Sequence, residues 1–418
     1  MKWLDKNIEW IVALAVVFIT TITVCEQFVI IIEPSYKLLF SIMRFLLVSL
    51  MLTYQYFHFG IRIKKGFLCF FLFYSFFILF YITIHQVYPL RLLHQAPSSV
   101  ENFVYRTFFI FLFILCSDTI IKYLSIKKYL IISFLLGVLP TLIYVQYVGI
   151  VFIQTYGNED NRNFIGQLTL AYSCVPVLII AILNLSKPLK NELLYRLFAV
   201  FLIFCTGYIL LISTKRGPLL WAFVNLGICF FCIKKNSLKF VLLFLIICVF
   251  LITNVEMIID WIGEFAPTSA ERISTTIFEG DTAHRFDVQD KSGSGYFIGF
   301  NQFAKSPIWG SYFRLITIGF FQGHYPHNIF IEILITMGLV GFLPFVMLLF
   351  NAVSNIWRVL RHKHSEGELV CIVLFLASFF ELQTTNSLLL NVPFWLFFYI
   401  VNQMTAQYRL RSRLQFWK

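Results

Sequence analysis

The strongest constraint on this chain is a recurrence. Apolar runs of roughly 16–24 residues, about the length that crosses a hydrocarbon core as a helix, follow one another with short polar joints between them. We place spans at 9–25, 38–57, 67–84, 103–121, 129–151, 167–184, 193–212, 218–233, 238–258, 327–350, 369–385 and 387–407, the last two separated only by the short break Thr384–Ser387. In lipid, helices and closed barrels are the structures that satisfy their own backbone, and these runs lack the alternation of barrel strands. The predicted fold class is therefore all-α. It is a polytopic integral membrane protein of about 12 transmembrane helices, a single transmembrane domain over 1–418 with a large helical outer loop before the tenth span. The composition fits, with 59% hydrophobic and 13% charged residues, where a soluble domain averages about 25% charged.

A net charge of +12 raises the question of a polyanionic partner. With the N-terminus inside, segments 1–8, 58–66, 122–128, 185–192, 234–239, 351–368 and 408–418 face the cytoplasm and hold 20 of the 33 Lys and Arg. The outer loops hold ten, and Arg44, Arg106 and Arg196 lie at helix edges. This is the positive-inside pattern. The long outer segment 259–326 has five basic residues against seven acidic ones, so no basic face is offered to nucleic acid. The charge reports topology.

Lys2 and Lys6 precede the first run without a small-residue cleavage site after it, so that run reads as a retained span. All nine Cys fall inside apolar runs, which predicts neither an outer disulfide framework nor a zinc cluster. Cys229 and Cys232, in "NLGICFFCIKK", read as helix packing.

Segment 259–326 is too long for an unstructured loop. Within it "MIIDWIGEF", "SAERISTTIFEG" and "YFIGFNQFAKSPIWGSYF" read as short amphipathic helices lying on the membrane surface. Three groups on that outer side carry candidate chemistry. In "STKRGPLL", Lys215 and Arg216 precede Gly217 in a tight turn between two spans, on the side where positive charge is disfavoured. In "DTAHRFDV", Arg285 lies inside the loop beside Asp281 and Asp287. In "GHYPHNIFIEILITMGLVGF", Pro326 suits the first turn of a helix, and His327 and Asn328 follow it. Free amides at that helix start would make an anion site, and the helix dipole would keep His327 neutral. Gly338 and Gly341 predict close helix packing further along.

Taken in order, "STKRG", a loop Arg followed by "FAKSPIWGSYF", and "YPHNIFIEILITMGLVGF" resemble the shared C-terminal region of O-antigen polymerases and O-antigen ligases, over roughly 200–350. The first 190 residues are similar in hydropathy alone. The resemblance implies a metal-independent glycosyltransferase of the bacterial inner membrane with its active site facing the periplasm. It takes glycan from undecaprenyl pyrophosphate and needs no cofactor. Arg216 and Arg285, with Lys215 nearby, would hold the donor pyrophosphate, and His327 would be catalytic, supported by Pro326, Asn328 and Gly217. The residue types suit those roles: Arg matches phosphate bidentately, and His has a reference pKa near neutrality for a general base. Partners implied are the lipid-linked oligosaccharide, the bilayer, and a chain-length regulator and flippase of the same pathway.

The polymerase reading transfers the glycan to another lipid-linked repeat, and "GHYPHN" with "IFIEIL" leans towards it. The ligase alternative transfers it to lipid A-core. A polysaccharide flippase or transporter is the rival from another class. It would carry charges deep in several helices and an internal repeat; Glu332 and Glu381 are the main deep charges, and no repeat is evident.

Overall fold

The computed structural model describes residues 2–33, 35–61, 70–75, 100–149, 165–185, 193–213, 215–233, 253–265, 296–310, 328–362, 364–383 and 391–416, with isolated positions between 242 and 275. Every regular element among them is helical. In chain order these are α1 (Lys2–Thr20), α2 (Thr23–Ile32), α3 (Tyr36–Phe59), α4 (Val100–Leu115), α5 (Ser117–Tyr123), α6 (Ile126–Val148), α7 (Gln167–Leu185), α8 (Leu193–Ile212), α9 (Arg216–Ile233), α10 (Val255–Phe265), α11 (Tyr296–Lys305), α12 (Ile329–Arg361), α13 (Glu366–Glu381) and α14 (Val392–Phe416).

Among the described residues α3, α6, α7, α8 and α12 are each long and apolar enough to cross a membrane, and α1 with α2 makes a sixth if that bent pair is one span. Shorter apolar helices cover Gly217–Cys232 and Val392–Met404. Most of the spans expected at 67–84 and 238–258 lies outside the described residues, as do Arg285, Pro326 and His327.

The chain divides into two compact units. The first comprises Met1–Gly60, Cys116–Glu279 and Leu360–Ala377. Its first span is broken, with α1 and α2 meeting at 68°. The Thr21 and Ile22 amides both donate to the Val17 carbonyl at 3.0 Å, which closes α1. The Phe18 carbonyl left at that end accepts from Arg44 Nε at 3.3 Å, and the same guanidinium pairs with Glu26 on α2. A cation at the negative end of a helix is favourable, and the carboxylate offsets the cost of burying it. Arg44 therefore holds the break open.

The break rests on a second irregularity. Residues Phe134–Val138 of α6 form a π turn, and a Cβ on Gly137 would lie 3.2 Å from the Thr21 carbonyl oxygen. Elsewhere in this unit polar side chains join helices through backbone groups. Gln55 Oε1 accepts from the Thr119 amide and hydroxyl at 3.1 and 2.7 Å. At the start of α13, Ser365 and Glu368 make a reciprocal capping box, the Ser365 amide donating to Glu368 Oε2 at 2.7 Å and the Glu368 amide to Ser365 Oγ at 3.2 Å. Between them Gly367 lies against the chain at Ile121, where a Cβ would sit 2.3 Å from the carbonyl oxygen.

Helix α10, the "MIIDWIGEF" segment, is amphipathic as expected. Ile258, Ile259 and Ile262 pack on Leu211 and Ala270, while Met257 and Trp261 are exposed. Cys229 and Cys232 are buried in α9, and Cys229 Sγ approaches Asn225 Oδ1 at 3.5 Å. That is the packing role read from the sequence.

The second unit comprises Ile61–Leu115, Gly280–Val359 and Ser378–Lys418. Phe70, Phe73, Phe345, Trp395 and Phe398 build its aromatic core, with ring centroids 5.8–6.4 Å apart in the pairs they form. Asn355 Nδ2 ties α12 to the Val401 carbonyl of α14 at 3.0 Å.

Candidate functional site

In the second unit the sequence motifs meet at α12. This helix is kinked at Gly338, whose φ of 59° and ψ of −158° are accessible to glycine and few other residues. The kink frees two amides, and a strap from the segment 259–326 takes them. The Leu339 amide donates to the Pro307 carbonyl at 2.9 Å and the Val340 amide to that of Ile308 at 3.1 Å.

Strap residues 306–310 follow directly on α11. They are held by the Gly310 amide on the Ser306 carbonyl at 2.9 Å and by Ser306 Oγ on the Gly310 carbonyl at 2.8 Å. Gly310 itself has φ 69°. A Cβ there would come within 2.5 Å of the Gly338 nitrogen, and one on Gly338 within 2.3 Å of the Ile308 carbonyl oxygen. The two glycines are thus mutually required. Within α11, Gly299 faces Ile331 at 2.5 Å by the same measure.

This corrects one expectation. Gly338 serves close approach, but to the strap "SPIWG", and Gly341 meets Met337 of its own helix, 2.3 Å from the Met337 Cβ if a Cβ is added. Helix α11 and its strap approach α12 through Gly299 and Gly310.

The start of α12 holds a second correction. Asn328 caps it: Oδ1 accepts from the Phe330 and Ile331 amides at 3.0 and 3.2 Å, and the Asn328 carbonyl accepts from Glu332 at 2.9 Å. The remaining first-turn amide, Ile329, donates to the Leu382 carbonyl at 3.1 Å. All four amides of this turn are used, so they do not form the free anion site expected from the sequence. Asparagine at a helix start is a standard cap; reading it that way would have found this.

Polar side chains gather around the cap, among them the Glu332 and Glu381 noted as deep charges. Asn328 Nδ2 donates to Gln383 Oε1 at 3.3 Å. Two residues back, Glu381 Oε2 accepts from Asn391 Nδ2 at 3.0 Å, while Asn391 Oδ1 caps α14 through the Phe394 amide at 2.9 Å. Glu332 is buried on the first turn of α12. The end of α13 therefore braces the start of α12, the position that follows His327 in the chain, and the start of α14 is tied in turn to the end of α13.

Lys215, Arg216 and Gly217 lie in the first unit. The Ser213 amide and hydroxyl close α8 on the Ile209 and Leu210 carbonyls at 3.1 and 2.8 Å. Lys215 is half-buried in the turn that follows, and Arg216 opens α9 with Gly217 and Pro218 behind it. Pro218 is tolerated because amides in a first turn lack helix partners. Leu211, one turn before Lys215, packs on α10, whose exposed Glu256, Asp260 and Glu264 line one face at four-residue spacing. Among the described residues no group of His, Cys, Asp and Glu has the arrangement of a metal site.

No protein-family model matches the chain, and no curated protein matches its sequence.

Proposed function

We propose that this protein is an O-antigen polymerase, an inner-membrane glycosyltransferase of about 12 spans. It transfers a surface-polysaccharide repeat from undecaprenyl pyrophosphate to a lipid-linked acceptor on the periplasmic face. The observation that carries the reading is the union of motif blocks: "FAKSPIWG" docks into "TMGLVG", and the helix so joined begins with the capped Asn328 that follows His327. Two of the three blocks drawn together on the sequence resemblance join in one unit, while "STKRG" lies in the other.

On this reading Arg216 and Arg285 neutralise the departing pyrophosphate, a contribution that grows as charge develops on the leaving group. His327 takes the proton from the acceptor hydroxyl as that oxygen bonds the anomeric carbon and the glycosyl–phosphate bond breaks. The lipid pyrophosphate leaves.

Gel banding of the envelope glycolipid in a deletion strain tests the reading. A polymerase predicts core carrying a single repeat, restored to a ladder by the intact gene and not by His327→Ala. Bare core with polymer accumulating on the lipid carrier selects the ligase instead. An unchanged ladder overturns both.

A further inference from the structure

Helix α12 changes character at its kink. From Ile329 to Gly338 no residue is exposed, and Ile329, Ile331, Ile333, Ile335 and Met337 are all within the core. Beyond it a single apolar stripe opens, Leu339, Leu343, Met347, Phe350, Val353 and Trp357, with exposures of 39–72%. The spacing of three and four residues puts these side chains on one face of the helix. A helix buried all round is surrounded by protein, whereas one apolar open face needs an apolar solvent.

From Leu339 to Trp357 the helix runs roughly 27 Å, close to the hydrocarbon thickness of about 30 Å. Both ends carry interfacial residues. At the inner end stand Trp357 and the exposed Arg358 and Arg361. At the other end the docked strap presents Ile308 and Trp309, 56% and 53% exposed, with Lys305 exposed at the end of α11. Tryptophan belts and snorkelling lysines mark the edges of a bilayer.

We propose that residues 305–309 form a lipid-interface anchor, and that α12 enters the hydrocarbon at Leu339 and not at the start of the apolar run near 327. The strap seals the kink at the membrane surface, where two free amides would otherwise meet lipid. The first turns of α12, roughly 13 Å from Ile329 to Met337, then stand outside the hydrocarbon. The polar pairs Asn328–Gln383 and Glu381–Asn391 lie at their far end. The anchor does not depend on the catalytic reading.

The test is spin-label accessibility on the full chain in phosphatidylethanolamine–phosphatidylglycerol vesicles, with single cysteines introduced by Trp309→Cys, Leu343→Cys and Met347→Cys. The unmodified chain supplies the background from native thiols. The ratio of oxygen to aqueous-nickel collision at 309 should fall between that of a water-soluble nitroxide and the high values at 343 and 347, where collision with nickel should be lost and that with oxygen kept. A ratio at 309 as high as at 343 and 347 puts the strap inside the hydrocarbon and overturns the proposal, as does a ratio equal to that of the water-soluble nitroxide, which puts it in bulk water. Should Trp309→Cys fail to reconstitute, Ile308→Cys reads the same depth.

Discussion

Replacing Gly338 by alanine should unlatch the strap. Kept docked, alanine would hold a backbone conformation costing about 1–3 kcal/mol for a residue with a Cβ. It would also drive that Cβ to 2.3 Å from the Ile308 carbonyl oxygen. Backbone cannot yield as a side-chain tip does, so the lower-energy response is separation. Separation forfeits the Leu339–Pro307 and Val340–Ile308 hydrogen bonds. Each contributes about 0.5–1.5 kcal/mol where water replaces the partner, and about 1–3 where it does not. The loss is then roughly 2–4 kcal/mol, less than the stability of a typical fold, so the protein should remain folded with the strap released. Hydrogen–deuterium exchange of peptides covering 337–341 reads this directly. A fall of that size in local opening free energy accelerates exchange roughly 30- to 900-fold. Gly310→Ala should do the same from the other side, and the double variant should add little, because both break one contact. Exchange within threefold of the parent in both single variants would refute the argument for mutual need.

Asn328→Ala removes the acceptor for two amides and should cost about 0.5–2 kcal/mol in thermal or denaturant unfolding; Asn328→Ser, which keeps a capping oxygen, should recover most of it, and equal losses would deny the cap. Gly367→Ala should destabilise by about 1–3 kcal/mol because its Cβ meets the Ile121 carbonyl. Gly207→Ala, in α8 with nothing within 4 Å of the added carbon, should stabilise by about 0.5–1 kcal/mol; the same unfolding assay compares their signs. If the polymerase reading holds, Arg216→Lys and Arg285→Lys should each shorten or abolish the ladder despite keeping the charge, since an ammonium cannot make a planar bidentate contact. Full activity of both would reduce the two arginines to long-range attraction.

Hydrophobic run length locates four of the twelve expected spans closely. The run at 193–212 matches α8 residue for residue, and those at 38–57, 129–151 and 167–184 lie within three residues of α3, α6 and α7 at each end. Hydropathy was silent where irregular backbone stays apolar. The break between Thr20 and Thr23 falls inside the run read as 9–25, because Thr21 and Ile22 are as compatible with a continuous helix as with a turn. The register of α12 was hidden for a similar reason: burial in protein and burial in lipid select the same side chains, so Ile329–Met337 reads like the stripe beyond it. The docking of Gly310 on Gly338 joins positions far apart in the chain, and each glycine alone signals only a close approach. Asn328 was legible as a cap, but attention to the neighbouring histidine favoured free amides.

The π turn in α6 bears on how this chain can change length. A π turn is a helix carrying one surplus residue, taken up as a local widening so that the helix on either side keeps its facing. Losing one residue between Phe134 and Val138 should therefore heal the turn and leave Thr141, Tyr144 and Val145, which are buried, on the side they now occupy. The same one-residue loss in the middle of α8 would swing everything after it by about 100° and turn the exposed Phe204 and Tyr208 towards the packed side. Insertions and deletions among descendants of this sequence should accordingly gather at 134–138, and the residue most exposed to loss there is Gly137, whose place against Thr21 exists because the helix is one residue too long.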